Sequence, residues 1–111
     1  MDTVNSHRLA VERVLLAYTE IPYAHGELRC EALFDRERDH YALVTSGWNS
    51  GKRVHFVLAH VNIVGGKIWI EKDSTEDGVA TELVEAGIPK AQIVLAFRPP
   101  EVRARTEYAV A

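Results

Sequence analysis

Residues 53–71 read RVHFVLAHVNIVGGKIWIE. Val57, Ala59, Val61 and Ile63 make the odd positions uniformly apolar. Val54, Phe56 and Leu58 make the even positions apolar too, before His60 and Asn62 turn them polar. Apolar groups on both sides mark a strand covered on both faces, so 53–64 is expected at the centre of a sheet. Gly65-Gly66 supplies the positive φ that a two-residue hairpin needs. Lys67–Glu71 is then the next strand.

Upstream, Leu28, Cys30, Ala32 and Phe34 alternate with Glu27, Arg29, Glu31 and Asp35, the period of a half-buried strand. The charged turn Arg36-Glu37-Arg38-Asp39 leads into a second strand, His40–Trp48, and Asn49-Ser50-Gly51 reads as a loop. These hairpins make a four-stranded antiparallel meander. Before it, Val4, Val11, Val14, Leu15 and Tyr18 recur at helical steps over Thr3–Glu20, and Pro22 stops the helix. After it, Val79, Ala80, Leu83 and Val84 mark a second helix over Ser74–Ala86, capped by Asp73 or Ser74 and ended by Gly87. A short strand, Ile93–Phe97, follows, and Pro99-Pro100 breaks regular structure. The expected fold is α+β: an antiparallel four-stranded meander with an N-terminal helix, a second helix after it and a short final strand. One domain over 1–111 is expected.

With 111 residues, 47% of them apolar, the chain can build a core without staples. No stretch nears the roughly 20 apolar residues of a membrane span. MDTVNSHRLA lacks the basic-then-apolar layout of a signal peptide, so a cytoplasmic location is expected. Cys30 is the only cysteine, which excludes an internal disulfide and a thiolate zinc cluster. The net charge of −3 opposes a protein devoted to gripping phosphates. Three arginines, Arg98, Arg103 and Arg105, nevertheless make the tail weakly basic beside an acidic stretch over 67–97.

No phosphate-binding loop, nucleophile elbow or zinc-helix motif occurs. His55 and His60 are five apart, and strand alternation then sets their rings on opposite faces, unable to share an ion. His7 and His25 are far apart in sequence. His40, beside Asp39 and near Asp35, is the remaining candidate ligand, and His40, His55 and Asp39 the remaining acid–base candidates. Asp73–Gly78 resembles the start of a calcium loop, but its twelfth position is Val84 instead of a glutamate. An acidic helix start explains the same residues. The reading is of no catalytic residue, no metal and no cofactor.

Trp48 and Trp69 can be core or interface. Trp69 alternates with Lys67 and Glu71, an outward setting suited to a protein partner. Phe56 and Leu58 point away from the odd, core-facing side of their strand and are expected to share a face with Trp69. Two helices need not cover both sides of a four-stranded sheet, so a twofold homodimer through an uncovered patch is expected. The rival is a satisfied monomer with one helix on each face.

The segments FDRERDHYALVTSGW, RVHFVLAHVNIVGGKIWIEKD, TEDGVATELVEAGIPKAQIVLAFRPPEVR and TEYAVA resemble the cyanobacterial XisI family from about Leu28 onward. The resemblance implies a controlling factor for recombinase-mediated excision of the fdxN DNA element in heterocyst differentiation, working with an XisH-like, nuclease-related partner. It supplies no catalytic residues. Arg98 stands where the family commonly has histidine and Ala96 where it has glycine, which lowers any case for chemistry over Phe97–Arg103. The implied action is protein–protein contact, with Trp69, Phe56, Leu58, Arg98, Pro99, Pro100 and Arg103 as the candidate contact residues. The alternative is direct DNA binding by the arginine segment, although direct nucleic-acid contact by the protein alone is not expected. A further alternative is a small-molecule or catalytic site near His40 and His55.

Overall fold

Alternating apolar residues build the sheet, and the computed structural model, which describes residues 3–22 and 27–111, places each expected strand. Helix α1 spans Thr3–Thr19 and ends before Pro22, as the proline rule requires. The strands are β1 (Glu27–Asp35), β2 (His40–Asn49), β3 (Lys52–Val64) and β4 (Lys67–Asp73), paired antiparallel in sequence order. Helix α2 (Val79–Glu85) and a 3₁₀ turn (Lys90–Gln92) lead to β5 (Ile93–Leu95), and α3 (Pro100–Arg103) follows.

The four-stranded antiparallel meander is present, but it is not the whole sheet. β5 joins beside β4 in parallel, giving a mixed five-stranded sheet in the order β1-β2-β3-β4-β5. The cause lies in the connection: residues 74–92 form a crossover long enough for the chain to return in the direction β4 ran. Ala109 then bridges Val94, with its N–H donating to the Ile93 carbonyl at 2.9 Å, so the tail continues the sheet past β5.

Both helices pack on one face. Val11 and Leu15 of α1 and Val79 and Leu83 of α2 join Tyr41, Leu43, Val61, Ile68, Ile70 and Ile93 in one buried cluster. Burying each such side chain contributes about 1.5–3 kcal/mol, so this face carries the stability of the fold. The expected alternative of one helix on each face is not what forms.

Two bulges alter the register. Leu43 faces Ala59 while Val44 faces Val57, leaving Leu58 as an extra residue in β3. His60 faces Lys72 while Val61 faces Ile70, leaving Glu71 extra in β4. A bulge inserts one unpaired residue, so the side-chain parity of the strand inverts across it. Gly47 marks a third irregularity: at φ +145° in β2, a Cβ there would lie 1.9 Å from the Glu27 carbonyl oxygen. Only glycine lets β1 start that close to β2.

The second helix begins five residues later than its expected Ser74. Asp73 is the reason: its carboxylate accepts from the Thr75 N–H at 3.0 Å, the Thr75 hydroxyl and the Val79 N–H at 2.7 Å. Residues 74–78 are thereby held as a loop, and Asp73 satisfies the first helical amide from six residues upstream. The last strand is likewise shorter than Ile93–Phe97. Arg98 N–H donates to the Leu95 carbonyl at 3.0 Å and turns the chain there.

Candidate functional site: the open sheet face and the C-terminal corner

With α1 and α2 on one side, the other side of the sheet is covered only at its far end, where α3 sets Arg103 over Trp69 and Val94 is buried. Its rows follow from the pairing. Asp35, His40, Asn62, Trp69 and Val94 form one row, and Leu33, Ala42, His60 and Lys72 the next. Glu31, Val44 and Val57 form a third, and Arg29, Ser46 and His55 a fourth. Glu27, Trp48 and Arg53 close the face. Leu33 (59% exposed), Trp48 (52%), Val57 (38%) and Val64 (52%) all belong to this side. They are not contiguous: Ser46 and His55 separate Val57 from Trp48, and His60 and Asn62 separate Val57 from Val64.

Phe56 and Leu58 do not belong to it, which corrects the expectation. Phe56 pairs with Thr45, a buried residue of the helix-covered side, and Leu58 packs partly buried against the core. The Leu58 bulge is the cause, because it moves the even positions before it onto the helix side. The same bulge puts His55 and His60 on one face, opposite Ser46 and Ala42, so the parity reason for keeping their rings apart fails. Distance separates them instead: four or five strand residues span about 14 Å.

His60 has another neighbour. Its Nε2 lies 3.2 Å from His40 Nδ1, with the rings stacked at 28°. One imidazole donates and the other accepts. Among the described residues no group of three or more His, Cys, Asp or Glu is gathered to hold a metal ion. His25 lies outside the described residues. His7 is buried on the helix side, with its Nδ1 unpaired among them.

Asp39, the other acid–base candidate, is committed to structure. Arg8 grips it with two nitrogens, Nε to Oδ1 at 2.7 Å and Nη2 to Oδ2 at 3.0 Å, and the Tyr41 hydroxyl donates to Oδ1 at 2.9 Å. The Arg8 hydrogen bonds hold the Asp39 carboxyl below its usual range. Burial and then the Asp39 carboxylate push Tyr41 up to about 12. The result is a latch tying α1 to the β1–β2 turn. The Asp73–Gly78 segment is closed in the same sense, since the Asp73 oxygens face protein donors.

The remaining candidates come together at the far edge. Arg103 lies over the Trp69 ring, 5.7 Å from its centroid, and donates to the carbonyls of Arg98 and Val110 at 2.8 Å each. Pro99 accepts from the Val102 and Arg103 amides and Pro100 opens α3, where the missing N–H costs nothing. Trp69, Arg98, Pro99, Pro100 and Arg103 thus form one corner, with the exposed Phe97 ring under the Arg98 guanidinium at 5.3 Å. Sequence reading passed over Phe97, Leu33 and Val57. The signal for Leu33 was its place among the charged residues of β1. For Val57 there was none, because its face depends on the bulge.

No helix among the described residues is long and apolar enough to cross a membrane. A family described as XisI protein matches residues 1–110. A solved XisI-like protein from Anabaena variabilis is similar at 31% identity, covering 97% of this chain and 99% of that one, with a TM-score of 0.85. The solved fdxN element excision controlling factor XisI from the same organism is similar at 32% identity, with 99% and 100% covered and a TM-score of 0.83. No curated protein matches the chain.

Proposed function

This chain belongs to the XisI family, and from that premise we propose that it is a non-catalytic, cytoplasmic controlling factor for excision of a DNA element. It acts by protein–protein contact with an XisH-like, nuclease-related partner, while a recombinase performs the DNA chemistry. The observation that carries this reading is the likeness over nearly the whole chain to the fdxN element excision controlling factor XisI of Anabaena variabilis. The committed state of Asp39 and Asp73 supports a role without catalysis.

The partner contact is the corner around Phe97–Arg103. Phe97 and Arg98 are exposed, and the backbone beneath them is fixed by the Arg103 bonds and two prolines. Aromatic and arginine side chains held rigidly before binding lose little entropy on contact and make good anchors. Direct DNA binding by the same arginines is not favoured, because Arg103 is engaged by two carbonyls and Trp69. Co-expression with an XisH-like protein and size-exclusion chromatography test the reading. One co-migrating complex is expected, weakened at least about tenfold by Phe97→Ala with Arg98→Ala, the loss of a hot-spot contact. Folded proteins that elute separately at micromolar concentration overturn it.

A further inference from the structure

From the His40–His60 pair we infer a zinc site, with the two imidazoles as its protein ligands and water completing the shell. Strand pairing brings the rings together. His40 of β2 stands opposite Asn62 and His60 of β3 opposite Ala42, which makes the two histidines diagonal neighbours on one sheet face. Strands hold a ligand pair more firmly than loops do. His40 is exposed and His60 half-buried, so water reaches the pair from outside. The sequence sets His60 against His55; its true neighbour His40 lies 20 positions earlier, where only the pairing reveals it.

Distance selects the ion. His40 Nδ1 and His60 Nε2 are 3.2 Å apart. Metal–nitrogen bonds of about 2.0–2.1 Å set two ligands about 3.3 Å apart at a tetrahedral angle and about 2.9 Å apart at a right angle. The observed separation lies nearer the tetrahedral value, which is the geometry of zinc; the right angle belongs to tetragonal and octahedral metals. The ring centroids are 5.4 Å apart, so the two nitrogens meet almost head on across their hydrogen bond. Zinc takes the place of the shared proton, which moves to the other nitrogen of its own ring, and both ligands stay neutral. Each ring then turns about its Cβ–Cγ bond to aim its lone pair at the ion, along a torsion that is broad in histidine.

The neighbours leave the remaining positions open. Asp35, opposite His40 on β1, gives its oxygens to Arg38 and the Glu37 amide and is not a ligand. Lys72, opposite His60 on β4, turns its ammonium to the Phe56 ring at 6.0 Å, which draws that charge back along β3 from the imidazoles. No third His, Cys, Asp or Glu joins the pair among the described residues. Two positions of a tetrahedral shell therefore fall to water, as in sites that take an incoming donor.

Zinc titration of the chelator-treated full chain, read by calorimetry at neutral pH, tests the site. One ion per chain is expected, with a Tm that climbs as zinc is added. His40→Gln and His60→Gln should each weaken binding at least about tenfold, since each removes one of two ligands. His55→Gln, farther along the same face, should leave binding unchanged. Circular dichroism of the metal-free variants should match wild type, because neither ring belongs to the buried core. In NMR spectra of the wild-type protein, the ring signals of His40 and His60 should move with zinc while those of His55 stay. No heat and no Tm change at millimolar zinc overturns the site. Binding that survives both substitutions together overturns it as well, because the ion then lies elsewhere. Neither result bears on the partner contact at Phe97 and Arg98.

Discussion

Asp39 sits at φ +55° in the turn between β1 and β2, a conformation aspartate and asparagine tolerate better than most residues. Asp39→Asn therefore keeps the backbone, removes the charge and sets an amide donor against one of the two Arg8 nitrogens. Hydrogen bonds to a charged group contribute about 1.5–3 kcal/mol, and the variant should lose roughly that much at pH 7. The folded carboxyl is held below its unfolded value of about 3.9. Its stabilisation is thus complete above that unfolded value and declines as pH falls through the folded one. Urea denaturation should show a wide gap between wild type and variant at pH 7 and a narrower one at a pH below the unfolded value. An equal gap at both would mean the ion pair contributes nothing. Asp39 was visible in the sequence as a chemical candidate. Its partner Arg8, 31 positions earlier, was not, because only the packing of α1 on the sheet brings them together.

At the scale of elements, the C-terminal segment is the part whose role changes most between sequence and structure. Pro99-Pro100 reads as a break, and the arginines that follow read as a weakly basic tail. Arg103 instead spans from Trp69 to the carbonyls of Arg98 and Val110, and the Lys67 ammonium donates to the Ala111 carbonyl. The tail is an extra edge on the sheet, fastened at Ala109. Arg103→Ala removes a cation–π contact and two hydrogen bonds, together about 1–3 kcal/mol of local stability. Limited proteolysis should then cleave within residues 104–111 before the rest of the chain, with a shift in Trp emission. A tail as resistant as wild type would show that the Ala109 pairing alone holds it.

For the molecule as a whole, the net charge is −3, and the described arginines Arg8, Arg29, Arg36 and Arg38 are paired with carboxylates. Duplex DNA should therefore be bound by the isolated protein only at non-specific background, about 10⁻⁴–10⁻⁶ M at physiological salt. Titration of labelled DNA checks this, and sub-micromolar binding would contradict it. Local sequence determined most elements: alternation gave β1, a run apolar on both faces gave β3, turn residues bounded β2 and β4, helical spacing gave α1, and Gly65-Gly66, at φ +58° and +79°, gave the hairpin between β3 and β4. These depend on neighbours a few residues apart, which a linear reading contains. Only the tertiary structure decided that α1 and α2 share one face, that β5 pairs in parallel, and that Phe56 turns to the helix side, still exposed, while Leu58 packs against the core. Periodicity carries no mark of an inserted residue. The Leu58 bulge exists because β3 must match β2 across its full length, and that match is set by two strands at once, with one unpaired residue reversing every side chain beyond it.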